Sequence, residues 1–229
     1  MMVPTPAQDS VDKGNDAMNT TTASLGLSLA MILAAAATAL AADARPTIGA
    51  ADRVQGSVQA SYRTDVRTIG ADAALLFEDL LTTGEGARLL ATLEDGTALT
   101  LGENARLEID AFIYDPNQSG SKLLLNVVAG AFLFVGGQVE AAPDAEVEIR
   151  TPVATLGIRG TTVWGGPIEG GYGVLVLEGE VTVSTTGGDV TLNAGQATMI
   201  HDVNRGPYPP YGWTDDKIGE AVATISFEE

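Results

Sequence analysis

The sequence predicts an all-β protein built from many short strands in a single domain. Glycine is abundant, with 27 of 229 residues, while charged residues make up 18% and aromatic residues 5%. This composition favours strands and tight turns over long helices. Turn signals interrupt the apolar runs about every 8–12 residues, a spacing typical of a sandwich, a jelly roll or a coiled stack of strands. We therefore expect a β domain over residues 53–201, with an N-terminal signal segment before it and a short C-terminal tail after it.

The N-terminal region has the pattern of an export signal. Residues 18–42 carry no charged side chain, and Leu25–Leu33 forms their apolar centre. Ala39-Leu40-Ala41 matches an A-x-A cleavage site, so we expect a signal peptide over residues 1–41. The cleaved protein would be exported. An uncleaved membrane anchor is the alternative, because the uncharged stretch is almost long enough to span a bilayer.

The start of that segment is unusual in its charge. Asp9, Asp12 and Asp16 outnumber Lys13, although a signal peptide begins with positive charge. This favours Met18 as the true start. Residues 42–52 would then be a linker between the signal segment and the domain.

The first half of the domain shows alternating strands and one clear hairpin. Val54–Tyr62 alternates apolar and polar residues, and so does Ala105–Tyr114. Asp95-Gly96 joins the runs Ala87–Leu93 and Thr97–Leu101, which predicts a hairpin because glycine accepts positive φ. Asp72–Thr83 is ambiguous, since its propensity leans towards helix.

The second half continues the strand pattern. We expect Lys122–Val139 to form a hairpin around Ala129-Gly130 that is apolar on both faces. Gly165–Gly173 is interpreted as a glycine-rich loop, and it lacks the lysine of a phosphate-binding loop. Further strands are predicted at Val147–Arg150, Thr161–Trp164, Val174–Leu177, Glu180–Ser184, Val190–Leu192 and Ala197–His201.

Residues 202–229 form a proline- and aromatic-rich tail. Thr214–Ala223 has helix signals, with Thr214 as N-cap and two aspartates in the first turn. The tail is expected to cover an open sheet edge. The alternative is a docking peptide in a polyproline II conformation.

The motif T-P-V-A-T-L-G-I-R-G-T, Thr151–Thr161, resembles the hallmark of the FecR domain family, the extracytoplasmic half of iron-citrate-type regulators. The residues that carry the likeness are Thr151, Pro152, Ala154, Thr155, Gly157, Arg159, Gly160 and Thr161. Glu78–Thr83, Asp95-Gly96-Thr97 and Leu99-Thr100-Leu101 resemble upstream family features, so the likeness covers about residues 50–200. It favours strand or loop over helix at Asp72–Thr83.

The resemblance implies a non-enzymatic domain that works by protein–protein contact in envelope signalling or scaffolding. With the export signal, it implies a periplasmic or extracellular location in a bacterium. Only Met1–Ala17 precede the apolar segment, which is too little for a cytoplasmic sigma-factor-binding domain; direct sigma-factor regulation is therefore not expected. A membrane-anchored signal-relay component is the runner-up, and a carbohydrate- or matrix-binding surface protein is a third possibility. We expect Arg159 to be a structural anchor whose guanidinium pairs with a buried partner at the Leu156–Gly160 turn.

Little in the composition supports other chemistry. A net charge of −18 argues against nucleic-acid binding, and the absence of cysteine excludes disulfides and thiolate sites. His201 is the only histidine, so a zinc site of several histidine or cysteine ligands is not expected. A Ser-His-Asp triad would have to use His201, which has no G-x-S-x-G elbow to pair with. Carboxylates near turns, such as Asp79 and Asp95, are expected to be solvated. No cofactor is predicted, and calcium binding at Asp115-Pro116-Asn117 or Gly187-Gly188-Asp189 stays open.

Overall fold

The computed structural model describes residues 45–115, 120–142 and 144–228. Arg45–Glu229 forms one compact unit. The predicted signal peptide, the start at Met18 and the first part of the predicted linker lie outside the described residues. So does most of the Asp115-Pro116-Asn117 loop.

Within the described residues the chain forms fifteen strands, one α-helix and one 3-10 turn at Gln138–Ala141. The strands are β1 (Thr47–Gln55), β2 (Val58–Tyr62), β3 (Asp65–Thr68), β4 (Ala74–Leu76), β5 (Leu80–Thr83), β6 (Arg88–Leu93), β7 (Ala98–Leu101), β8 (Arg106–Ile113), β9 (Lys122–Ala129), β10 (Phe132–Val135), β11 (Glu146–Arg150), β12 (Thr155–Ile168), β13 (Gly171–Thr185), β14 (Gly188–Asn193) and β15 (Ala197–Ile200). The helix is α1 (Asp215–Ala223). Among these residues, no helix combines the length and the apolar character that a membrane crossing requires.

All fifteen strands belong to one sheet that curls on itself. The main path runs β3-β2-β5-β8-β9-β11-β12-β10-β7-β6-β1-β4, and β13 pairs with β12 and carries β14 and β15. The pairing is antiparallel except between β9 and β11. The two ends of the path are linked, because Arg67 on β3 donates a hydrogen bond of 2.7 Å to the carbonyl of Ala74 on β4. The predicted all-β class is confirmed.

Two apolar clusters stabilise the sheet. The larger one lies inside the curl, where alternate residues point inwards; on β6, Leu89, Ala91 and Leu93 are buried. The smaller one lies on the outer surface around Trp164 and is covered by Trp213 and α1. Each fully buried aliphatic or aromatic side chain of this kind contributes about 1.5–3 kcal/mol, so both clusters matter for the free energy of unfolding.

The predicted linker is a strand from Thr47 onwards. Strand β1 pairs with β6, and Ile48 and Ala51 are buried in the main cluster. The predicted strand Val54–Tyr62 is divided at Gly56, which has φ +70° and lies against Ala87. A side chain there would meet the Ala87 Cβ at 3.0 Å, so glycine is required where the chain turns from β1 to β2.

The predicted Asp95-Gly96 hairpin is confirmed by the pairing of β6 with β7. The ambiguous Asp72–Thr83 segment forms strands β4 and β5 and not a helix. Glu78 lies in the turn between these strands with φ +63°. A left-handed residue at this point interrupts any helical run.

The predicted hairpin at Lys122–Val139 is wrong. Strand β9 pairs with β8 and β11, whereas β10 pairs with β7 and β12. The chain changes direction at Gly130, which has φ +81°. Both strands are apolar because each is buried between neighbours, and that pattern does not specify which neighbours they are.

The glycine-rich loop predicted at Gly165–Gly173 is also wrong. Strand β12 continues to Ile168 and β13 begins at Gly171, with a two-residue turn at Glu169-Gly170. The strand glycines allow aromatic rings to approach the backbone. A Cβ on Gly165 would meet the Phe132 ring at 2.6 Å, and one on Gly173 would meet the Trp213 ring at 2.6 Å.

The tail covers an edge, as predicted. Tyr211 and Ala197 exchange backbone hydrogen bonds of 2.8 and 3.0 Å along β15, and the Tyr208 amide donates to the carbonyl of Met199. The predicted helix is present, and the hydroxyl of Thr214 accepts a hydrogen bond from the amide of Lys217 at its N-terminus. The tail also covers the outer face of the sheet, which the sequence did not predict.

Candidate interaction surface around the Thr151–Thr161 motif

The motif begins with a tight turn between β11 and β12. The hydroxyl of Thr151 accepts hydrogen bonds from the amides of Val153 and Ala154, at 3.3 and 3.0 Å, and donates to the carbonyl of Ala154 at 2.9 Å. Ala154 is buried, while Pro152 is exposed. Threonine and proline therefore fix the turn locally, and the turn of the motif lies at Thr151–Ala154. The predicted turn at Leu156–Gly160 is wrong.

The motif ends with a bulge in β12. The register with β13 shifts between Arg159 and Thr162, and Gly160 adopts φ +61°. Thr161 is buried and holds the bulge. Its hydroxyl donates to the carbonyl of Glu180 and accepts from the amide of Arg159, both at 3.1 Å. The G-T pair therefore supplies the left-handed residue and the side chain that a bulge of this shape needs.

Glu140 supports the same bulge from the 3-10 turn. Its Oε2 accepts a hydrogen bond of 3.1 Å from the amide of Thr161, while Oε1 is buried without a hydrogen-bond partner among the described residues. Burial raises the pKa of the Glu140 carboxyl above its ordinary value, and the negative charge of Asp95 adds to the rise. Hydrogen bonds from the amides of Gly160 and Thr161 oppose that rise.

Arg159 does not act as the predicted anchor. It is exposed, and within the described part of the chain its side chain makes no hydrogen bond or ion pair. Its neighbours Gly157 and Gly160 have no side chain to cover it. The expectation of a buried partner is corrected, because Arg159 lies on the outward-facing side of β12. An exposed guanidinium without an intramolecular partner is available to another molecule.

Cross-strand pairing extends this exposed side of β12 into a flat surface, which we call the polar face. Its rows follow the register across β12, β13 and β14: Thr155–Ser184–Asp189, Gly157–Thr182–Thr191 and Arg159–Glu180–Asn193. All nine residues are exposed or half-buried. Shallow cavities of about 450 and 380 Å³ lie beside Arg159, and Glu140, Glu146, Glu148 and Glu180 are among the residues that line them.

Two carboxylates expected to be solvated are instead buried. Asp79 is 0% exposed and accepts hydrogen bonds from Arg45 and Arg67. Asp95 is also 0% exposed. It accepts hydrogen bonds from the amide and hydroxyl of Thr97, at 3.1 and 2.7 Å, and from the amide of Val139 at 3.1 Å. The D-G-T sequence carries the signal of such an aspartate turn.

Other candidate groups lie away from the motif. His201 is exposed at the end of β15 and its ring lies 5.4 Å from that of Tyr208. Trp164, Tyr172 and Trp213 are buried, so they offer no platform for a sugar ring. In the described ranges, no group of three or more acidic or histidine side chains is arranged to hold a metal ion.

The fold and the motif together define a β domain that presents an exposed polar and charged surface next to the Thr151–Ala154 turn and the bulge at Gly160. Residues 79–182 match the family model described as FecR protein. The resemblance predicted from the motif is confirmed over these residues, which run from the buried Asp79 to Thr182 on the polar face. No curated protein matches the chain.

The solved structures include one of similar fold and a second that is less similar. A crystal structure at 2.50 Å of a candidate anti-sigma factor from Parabacteroides distasonis ATCC 8503 has a TM-score of 0.50 and 17% identity, covering 61% of this chain and 62% of that one. A second, at 1.65 Å, has a TM-score of 0.48 and 16% identity with the same coverage. This chain therefore spans less than two thirds of the length of those proteins, and the likeness concerns the fold.

Proposed function

We propose that this protein is exported and acts, without catalysis, by protein–protein contact in envelope signalling or scaffolding. The observation that carries the proposal is the FecR match over residues 79–182, together with the position of Arg159, which lies exposed and unpaired in its most specific motif. Thr151, Pro152 and Thr161 build the turn and the bulge, whereas Arg159 contributes nothing to them through its side chain. A residue with that placement suits a partner contact.

Export rests on the signal segment of the sequence, which we propose is cleaved after residue 41. The intact mass of the protein recovered from the bacterial periplasm or medium tests this step. A species that retains Leu25–Leu33 in the membrane fraction would instead support the membrane-anchored alternative.

The contact is tested by capture from a bacterial envelope extract, with residues 42–229 as bait. Arg159→Glu is compared with Arg106→Glu, because Arg106 is exposed on β8 and likewise has no side-chain partner among the described residues. We expect the wild type and Arg106→Glu to retain a specific partner and Arg159→Glu to lose it. Both variants should melt within about 2 °C of the wild type, as surface substitutions usually do.

Equal capture by all three baits would contradict a contact through the motif, and the absence of any specific partner would contradict the function itself. Truncation after His201 is a poor control, since it would remove Trp213 and expose Trp164. Point variants leave that cluster intact.

A further inference from the structure

The edges of the sheet are protected unequally. Four strands have one partner strand each, namely β3, β4, β14 and β15. Strands β3 and β4 are tied to each other through Arg67, and β15 is paired with the tail at Tyr211. Strand β14 pairs with β13 and, in the part of the chain that the structure describes, has no strand on its other side.

Strand β14 also lacks several features that usually block an open edge, and Asp189 is its only charged residue. Its sequence, GDVTLN, contains no proline and no lysine, and its register with β13 has no bulge. The hydrogen bonds to the loop after β15 stop at the turn before the strand, where the amide of Gly187 donates to the carbonyl of Val203. At the end of the strand, the amide of Asn193 donates to Oε1 of Gln196 at 2.8 Å. From Asp189 to Leu192, the described residues form no hydrogen bond with the outer side of the strand, so this part of the edge is open to another strand.

The side chains of β14 differ between its two sides. Asp189, Thr191 and Asn193 are exposed on the polar face, whereas Val190 and Leu192 point to the main cluster. Leu192 is fully buried and Val190 only half-buried, so the apolar layer is partly accessible along this edge. An added strand that continues both surfaces needs aliphatic and polar side chains in alternation.

The charge of this region selects a basic partner. Glu178, Glu180 and Asp189 have no ion pair within the described residues, and Arg159 is the one unpaired cation nearby. The whole chain carries a net charge of −18, which attracts a positive segment at long range. A lysine or arginine opposite Asp189 and an acidic residue near Arg159 would complement the polar face.

We propose that β14 receives an extended segment of the partner protein, which adds to the sheet as a further strand and has aliphatic side chains alternating with basic ones. The inference rests on the proposed function and specifies where and how the partner binds. Backbone hydrogen bonds to β14 provide the affinity. The exposed side chains of the row Thr155–Ser184–Asp189, together with Arg159, determine which partner sequences bind.

The test uses residues 42–229 and a short capped synthetic peptide that alternates valine with lysine and threonine. Binding is measured by fluorescence anisotropy at low salt, and amide hydrogen exchange locates the peptide. We expect the peptide to slow the exchange of the β14 amides. Asp189→Lys should weaken binding about tenfold, equivalent to ~1.4 kcal/mol, while Glu85→Lys, the same charge change at an exposed turn, should not.

Two control peptides separate strand addition from adsorption. A version with N-methylated backbone amides keeps the charges but cannot pair with β14, and a version with glutamate in place of lysine keeps the backbone. Equal binding of either control, unchanged exchange at β14, or no binding would overturn the proposal. Protection of β14 that depends on protein concentration alone would also overturn it, because a second copy would then occupy the edge.

The outcomes remain distinct from those of the proposed function. Arg159→Glu could abolish envelope capture while Asp189→Lys changes neither capture nor peptide binding. This result would support the proposed function but exclude β14 as the binding site. Peptide binding at β14 without any specific envelope partner would leave β14 as a binding edge and contradict the proposed function.

Discussion

Buried carboxylates are the residues whose roles are clearest in this structure. Asp79, Asp95 and Glu140 each accept hydrogen bonds from groups distant in the sequence. Asp79 connects Arg45, next to β1, with Arg67 on β3, and Asp95 connects the β6–β7 turn with the amide of Val139. Glu140 connects the 3-10 turn with the bulge of β12. Glu140 therefore fixes the motif directly through Thr161, and Asp95 fixes the 3-10 turn that carries Glu140.

Replacement of Asp79 by asparagine is expected to lower the free energy of unfolding by about 3 kcal/mol, because two arginines would lose a buried counter-charge. The Arg45 side chain is 12% exposed and its Nη1 lies 2.8 Å from Oδ1 of Asp79. In the variant, water would therefore not replace the lost counter-charge of Arg45. Urea denaturation of residues 42–229 measures the change. Glu85→Gln serves as the exposed control; a loss of similar size there would assign the effect to net charge rather than to the ion pair.

Replacement of Glu140 by glutamine is expected to change how stability depends on pH. The pKa of Glu140 is raised in the folded protein above its ordinary value of 4.5, so its contribution to stability is complete below that value and is lost as pH rises through the folded pKa. Glutamine stays neutral and still accepts the hydrogen bond from Thr161. The variant should therefore match the wild type near pH 4 and melt higher than it at pH 7. A difference in melting temperature that is constant across this range would contradict the assignment.

At the scale of elements, the hairpin β12–β13 and the tail determine where the exposed surface lies. Each strand of the hairpin has more than ten residues, and the bulge at Gly160 lets its two halves pair with different strands on either side. One half carries the polar face and the other carries the cluster under the tail. The tail is fixed by Trp213, whose ring meets that of Trp164 edge-on with 5.8 Å between the ring centroids. An ion pair between Lys217 and Glu169 also fixes it.

Replacement of Trp213 by alanine should lower the free energy of unfolding by about 3–5 kcal/mol, because a buried aromatic ring is removed and Trp164 loses its cover. Thermal unfolding and the fluorescence of the remaining tryptophan, Trp164, report the change, with a red shift as that indole meets water. Tyr208→Ala is the matched control, since Tyr208 is 50% exposed in the same tail. Equal destabilisation by both substitutions would contradict the specific contribution of Trp213.

For the whole molecule, the acidic surface and the curled sheet have opposite effects on the stability of the folded state. The sheet encloses one continuous apolar cluster, whereas a net charge of −18 makes the folded state repel itself. Repulsion between exposed charges is screened at distances beyond about 10 Å in 0.1 M salt. Buried pairs such as Arg45–Asp79 are screened much less.

The melting temperature should therefore rise when sodium chloride is increased from about 0.01 to 0.3 M, where screening becomes effective. Calcium chloride at the same ionic strength is the comparison. An equal rise would assign the effect to screening alone, and a larger rise with calcium would support the calcium site that the sequence left open. A fall in melting temperature with sodium chloride would contradict net repulsion.

The sequence by itself determined the fold class, the β6–β7 hairpin, the helix in the tail and the FecR motif. Each of these depends on local chemistry: alternation, a glycine at positive φ, a threonine cap, and a threonine-proline turn. The tertiary structure alone decided that β9 and β10 pair with different strands, that Asp79 and Asp95 are buried, and that Arg159 is exposed. Periodicity shows which side of a strand is apolar, but partners and burial depend on contacts between residues far apart in the chain.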